Sequence, residues 1–127
     1  MLANREKERY ILLDSSFLME CEKARIFELL EDYLYLGELA TTKQVISELN
    51  LLKKNGNKTA RVALMLIEKR GVKILDAPGK NADESLLNLA METKSVIATN
   101  DRKLIKLAKE KGIKVLRLRE GKKLMVV

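Results

Sequence analysis

Short apolar runs alternate with longer segments of helical period along this chain, and that alternation constrains the fold most. Tyr10-Ile11-Leu12-Leu13 is a continuous apolar run of strand length with no polar face, which suits a strand covered on both sides. Val72–Leu75, Ser95–Ala98 and Lys114–Leu118 are runs of the same kind, and Glu38–Ala40 is a shorter one. Between them apolar residues recur at helical spacing. Ile26, Leu29, Leu30, Tyr33 and Leu34 mark a helix over 23–35, and Val45, Leu49 and Leu52 mark one over 43–53. Further helices are expected from Lys58 to Arg70, after Asn81 and after Asp101. Strands followed by helices of about 10–13 residues predict parallel strands joined by crossover helices. The expected fold class is α/β: three α/β/α layers with a central parallel sheet, and residues 124–127 as a last edge strand.

Turn chemistry agrees with these boundaries. Ser15 and Ser16 can cap a short helix or contact a site at Asp14, Thr41 and Thr42 offer N-cap oxygens, and Asn55-Gly56-Asn57 makes a turn. Gly71 takes the position of a left-handed C′ residue, and Asn81 with Glu84 resembles a capping box. No linker-like or low-complexity tract divides the 127 residues, so one domain over 1–127 is expected. No apolar run approaches the roughly 18 residues of a membrane span, and the start is too charged for a signal peptide. One cysteine, Cys21, precludes an internal disulfide and suits a reducing compartment; a cytoplasmic location is expected.

Four acids stand out from this background. Asp14 ends the first apolar strand; Asp83 heads the stripe Leu86, Leu87, Ala90; Asp101 heads Leu104, Ile105, Ala108; Glu48 lies between Val45 and Leu49. Carboxylates on inward faces are costly unless something positive meets them. In a parallel sheet, residues just beyond the carboxyl ends of the strands gather at one edge, where sites of such folds lie. Asp14, Glu48, Asp83 and Asp101 can all reach that edge. Two bare carboxylates about 4 Å apart repel by about 4 kcal/mol at an effective dielectric near 20, so a cluster calls for protons or cations.

Composition limits the chemistry. With no histidine, imidazole acid–base catalysis, the Ser-His-Asp and Cys-His arrangements and most zinc sites are excluded. Oxygen ligands alone favour Mg²⁺ or Mn²⁺. Lys and Arg total 25 against 18 Asp and Glu, a net charge of +7 that favours a polyanionic partner and also suits a heat-adapted surface. An acidic pit on a net-basic surface is the arrangement a metal-dependent nuclease needs, with paired ions about 3.5–4 Å apart bracing a phosphodiester.

The order and spacing of Asp14, Glu48 in V-I-S-E-L, Asp83 in A-D-E-S-L-L and Asp101 in A-T-N-D-R-K-L resemble the signature of PIN-domain ribonucleases over nearly the whole chain. The tail L-R-L-R-E-G-K-K-L, with R-V-A-L after Lys58-Thr59-Ala60, is most similar to the archaeal ribosomal-RNA-processing branch, with VapC-type toxins as near neighbours. The resemblance implies a Mg²⁺- or Mn²⁺-dependent RNA endonuclease that leaves a 5′-phosphate. It assigns Asp14, Glu48, Asp83 and Asp101 to the metal site, and Thr99 to bonding a site carboxylate or water. It further implies RNA as partner, an antitoxin or ribosome-assembly factor in some relatives, and a homodimer. The chain departs from some members at Lys103, where they carry a further acid; a second ion is then expected only with RNA present.

Simpler roles compete residue by residue. Asp83 and Asp101 suit the first turns of helices, and Glu48 can pair with Lys53 or Arg61. Glu84 is explained by capping, Asp76 by its turn and Cys21 by packing, while Asn100 shapes a loop. Lys53, Lys54, Lys58, Arg61, Arg117, Arg119, Lys122 and Lys123 are either phosphate contacts or a solvated face. Two rivals to the processing enzyme follow: a toxin nuclease restrained by an antitoxin, and a catalytically idle module that binds RNA or a partner. A receiver-domain phosphoacceptor at Asp14 lacks the usual acid pair near the end of the first strand.

Overall fold

The computed structural model describes residues 8–127; residues 1–7, the charged start on which the signal-peptide argument rests, lie outside the described residues. The elements run β1 (Tyr10–Leu13), α1 (Ser15–Leu18), α2 (Ile26–Leu30), a 3₁₀ segment (Glu31–Leu36), β2 (Glu38–Thr42), α3 (Lys43–Lys54), α4 (Lys58–Lys69) and β3 (Lys73–Leu75). They continue with α5 (Ala82–Thr93), β4 (Val96–Ala98), α6 (Arg102–Glu110), β5 (Val115–Arg119) and β6 (Lys123–Val126). No helix among the described residues is long and apolar enough to cross a membrane.

The six strands form one sheet in the order β3-β2-β1-β4-β5-β6. β1 lies in the middle, parallel to β2 (Ile11 opposite Leu39) and to β4 (Leu12 opposite Ile97). β3 and β5 extend the parallel sheet outward, and only β6 is antiparallel, pairing Leu118 with Leu124. This is the expected α/β sheet with helices over it. The chain builds outward from β1 to β3, then crosses to β4 and builds the other way. Strand order therefore switches between β1 and β4, and a crevice forms outside their carboxyl ends.

The apolar run of β1 explains its central place. Ile11, Leu12 and Leu13 have no exposed surface, and Phe17, Leu18, Leu86, Ile97, Leu104 and Leu116 are equally enclosed from both layers. Each such side chain contributes roughly 1.5–3 kcal/mol by leaving water. The register that buries them also fixes which residues emerge at the sheet edge.

Local differences from expectation have physical causes. The helix expected over 23–35 is shorter, Ile26–Leu30, and tightens into the 3₁₀ segment. There Tyr33 donates its hydroxyl proton to the Leu124 carbonyl at 3.0 Å and stacks on Tyr35, while Gly37 at φ 152 lets the chain press against Arg9 on entering β2. β2 runs on through Thr41, so only Thr42 caps α3, accepting from the Val45 N–H at 3.3 Å. Thr41 instead donates to the Leu13 carbonyl at 2.7 Å, tying β2 to the end of β1.

The loop before α5 is held from two sides. Gln44 Nε2 donates to the carbonyls of Ala77 at 2.8 Å and Gly79 at 3.1 Å. Gly79, at φ 151, packs so close that a Cβ would stand 2.6 Å from the Ser85 nitrogen. Gly71, at φ 65, has open space around it. Gly79→Ala is therefore expected to lower stability by about 2–4 kcal/mol and Gly71→Ala by about 1 kcal/mol, as read by urea denaturation; equal effects would contradict this packing.

Candidate active site

Asp14 follows β1 at the switch point and is only 3% exposed. Its backbone N–H donates to the Ala98 carbonyl at 3.0 Å, which continues the ladder between β1 and β4. Its Oδ2 accepts hydrogen bonds from the hydroxyls of Thr99 at 2.6 Å and Ser16 at 2.7 Å. Oδ1 has no hydrogen-bond partner among the described residues. Two hydroxyl donors hold the carboxylate in one orientation without neutralising it.

Thr99, fully buried at the end of β4, is the hub of this corner. Besides donating to Asp14, its oxygen accepts the Asp101 N–H at 3.0 Å and lies 3.2 Å from Ser16 Oγ. Ser16 Oγ accepts the Asn100 N–H at 3.3 Å, and Asn100 Oδ1 accepts the Leu118 N–H at 2.9 Å. The β4–α6 turn is thus pinned to β1 on one side and β5 on the other.

The other acids reach the same place from different elements. Asp101 is the N-cap of α6, and its Oδ1 accepts from the N–H groups of Lys103 at 2.8 Å and Leu104 at 3.2 Å, leaving Oδ2 free. Capping and lining the site are compatible, because the two roles use different oxygens. Asp83 sits half-buried in the first turn of α5, where Asn81 is the cap; neither Asp83 oxygen has a hydrogen bond among the described residues. Glu48 projects from the second turn of α3 and accepts the Ser15 hydroxyl proton at Oε1. Its partner is therefore Ser15, neither Lys53 nor Arg61. Asp14, Glu48, Asp83 and Asp101 line one cleft of about 260 Å³, with Ser15, Ser16, Asn81 and Ala82.

Their charges are felt. Burial raises the Asp83 pKa above the ordinary 3.8, and Asp14, Asp101 and Glu48 push it further the same way, with only Lys103 opposing. Among the described residues the ion pairs join Arg25 to Glu28, Lys43 to Asp76 and Lys73 to Glu38, so no side-chain cation within 4 Å offsets the cleft. Among the described residues no three Asp, Glu or Cys side chains stand close enough together to hold a metal ion as they are placed. The donors nevertheless suit a hard divalent cation: all are oxygens, and Asp14 Oδ1, Asp101 Oδ2 and both Asp83 oxygens lack partners among the described residues.

Some side chains act differently from expectation. Ser15 and Ser16 do not cap α1, because Asp14 occupies its N-cap position; their hydroxyls serve Glu48 and Asp14 instead. The sequence allowed both serines a contact with the site besides capping, but not which acid each meets, since nothing in it shows a hydroxyl turning back across a short helix. Asp76 pairs with Lys43 at 2.8 Å, and burial pushes the Cys21 thiol pKa up, in keeping with packing rather than reactivity. Lys53 and Lys54 end α3, about 8–9 Å further along the axis from Glu48, and Lys58 and Arg61 open α4 beyond them. Arg117 and Arg119 alternate on one face of β5, with Lys122 and Lys123 at its hairpin.

Two stability measurements check this geometry. A raised carboxylate pKa means that the folded state binds the proton more tightly, so this group lowers stability as pH climbs from 3.8 through the folded value. Asp83→Asn should raise the melting temperature at pH 7 by about 2 °C, a small gain for a partly solvated group, and by nothing at pH 3.5. A uniform gain at both pH values, or none at pH 7, would contradict the shift. Thr99→Val leaves the Asp101 N–H without its acceptor and Asp14 with one donor, and should cost about 1–3 kcal/mol in urea denaturation. Thr99→Ser should cost under about 1 kcal/mol, and equal losses in the two variants would dismiss the hydroxyl's role.

The fold has relatives of known structure. The PIN domain endonuclease Utp24 superposes with a TM-score of 0.75 at 26% identity, over 92% of this chain and 90% of its own. A domain of a functionally unknown protein from Methanocaldococcus jannaschii DSM 2661 gives 0.61 at 21% identity, over 87% of this chain and 91% of that one. PAE2754 from Pyrobaculum aerophilum gives 0.55 at 23% identity, over 86% and 83%; these last two bear on the fold alone. No curated protein sequence matches the chain. A sequence profile described as PIN like domain matches residues 11–121, and by that match the chain belongs to the PIN-like domain family.

Proposed function

We propose that this chain is a divalent-metal-dependent RNA endonuclease of ribosomal-RNA processing, with residues 1–127 working as one catalytic domain. The observation that carries the reading is the cleft itself: four carboxylates from four separate elements line it, and no side-chain cation among the described residues pairs with them. Family membership and the likeness to a PIN domain endonuclease support a nuclease. The net charge of +7 supports a polyanionic substrate.

In this reading Asp14 is the fixed ligand, oriented by Thr99 and Ser16, and Asp101 presents its free oxygen from the start of α6. Glu48, exposed and held by one hydrogen bond, and Asp83, held by none, have the rotamer freedom to close on an ion. A bound Mg²⁺ or Mn²⁺ would supply an acidified water and charge neutralisation at the leaving oxygen. The protein's part is to gather the oxygens, favour hard cations by the lack of nitrogen and sulfur ligands, and keep Asp14 aimed. Lys103, at the mouth of the cleft, partly offsets its charge and occupies the place of a further acid found in some relatives.

Single-stranded and stem-loop RNAs incubated with Mg²⁺, Mn²⁺ or EDTA test the reading. Wild type should cut internally in either metal, leave 5′-phosphates and fall silent in EDTA. Asp14→Asn should lose roughly a thousandfold in rate while its melting temperature and RNA affinity stay close to wild type. RNA that is bound but uncut by wild type in Mn²⁺ would replace this reading with that of an idle binding module.

A further inference from the structure

A cleft that gathers negative charge repels the substrate it is meant to cut, so a strand entering it needs cations close by. The cations nearest by connectivity are those of α6, which begins one residue after Asp101. Arg102, Lys106 and Lys109 fall at i, i+4 and i+7 and so share one face of this helix, opposite the buried Leu104 and Ala108. That face and β5 border a shallow, open groove of about 570 Å³, lined by Arg102, Ile105, Lys106, Lys109, Glu110 and Arg117. The four cations are exposed, and none takes part in an ion pair among the described residues. Glu110 is the one carboxylate in the lining, at the end far from the cleft. Half-buried Ile105 gives the floor an apolar patch on which a sugar or base can rest.

We propose that this groove between α6 and β5 is the track that holds the RNA strand beside the cleft, with Arg102, Lys106, Lys109 and Arg117 on its phosphates. The proposal rests on the nuclease reading above and names the side of the cleft from which substrate is held. Arg102 stands at the cleft edge, and Lys109 lies about 10 Å down the helix, so the cations form a line leading away from Asp101. The other cationic cavity, lined in part by Arg9, Lys94, Lys111 and Lys114, lies at the opposite edge of the sheet. There α5 and α6 end, and their terminal carbonyls disfavour anions. The basic residues of the α3–α4 hairpin, Lys53, Lys54, Lys58 and Arg61, do not line the cleft. The α6 groove begins at Arg102, the residue that follows the cleft's Asp101, and its cations are unpaired among the described residues.

The test is binding of a fluorescent 20-nucleotide single-stranded RNA in EDTA across a salt series, so that cutting plays no part. The variant Lys106→Ala/Lys109→Ala/Arg117→Ala should bind at least tenfold more weakly, and the slope of log affinity against log salt should fall by about 2, near 0.7 for each lost phosphate contact. Each single substitution should lower the slope by about a third of that. Lys94→Ala/Lys111→Ala/Lys114→Ala removes the same charge at the opposite edge and should leave the slope unchanged. Equal loss in the two triple variants would overturn the track, reducing it to net charge. So would wild-type affinity in the groove variant, or poly-glutamate competing as well as RNA of equal charge. Failure of the nuclease reading looks different: the groove variant still loses affinity, yet wild type leaves RNA uncut in Mn²⁺.

Discussion

Carboxylates brought together repel, so gathering Asp14, Glu48, Asp83 and Asp101 around one cleft requires a frame that holds each against the others. Two bare charges 4 Å apart oppose each other by about 4 kcal/mol at an effective dielectric of 20. Burial of the β1 run and its parallel pairing with β4 supply that frame, because both strands end at the same edge. The shared hydroxyl corner then does the local work. Thr99 and Ser16 grip one oxygen of Asp14, and the backbone N–H of Asp101 hangs from the same Thr99 oxygen. If β4 were displaced, Asp14 would lose a donor and Asp101 its anchor together.

The same economy explains how helix capping and ligand presentation coexist. An N-cap carboxylate needs only one of its oxygens for the N–H groups of the first turn. Asp101 uses Oδ1 in this way. Asp83 is relieved of capping by Asn81 and is left with both oxygens free. Its raised pKa registers the result, since the three other acids all act on it in the same direction. An excess of negative charge in a crevice with free oxygens is an arrangement a divalent cation stabilises, and in the proposed track the basic face of α6 is what lets a polyanion approach it.

Much of this was legible in the sequence because the strong signals are local. An apolar run of strand length ending in Asp14, and acids heading apolar stripes, follow directly from periods of 2 and 3.6 residues. What escaped was set by tertiary contact. Tyr33 reaches Leu124, 91 residues away, and the chain tightens into 3₁₀ geometry where a continuous helix was expected. Thr41 is drawn into β2 by the Leu13 carbonyl, and Ser15 and Ser16 turn to Glu48 and Asp14 because Asp14 itself occupies the cap position. The basic face of α6 went unread, although Arg102, Lys106 and Lys109 stand at i, i+4 and i+7, because its meaning depends on β5 bordering a groove with Arg117.

The central claim is that the carboxylates meet to hold a divalent cation, and anomalous diffraction from a crystal soaked in Mn²⁺ addresses it most directly. The account predicts a peak in the cleft about 2 Å from Asp14 Oδ1, with oxygens of Asp101 and Asp83 or Glu48 completing the shell. An empty cleft at saturating Mn²⁺, or manganese bound only by residues elsewhere on the surface, would contradict it.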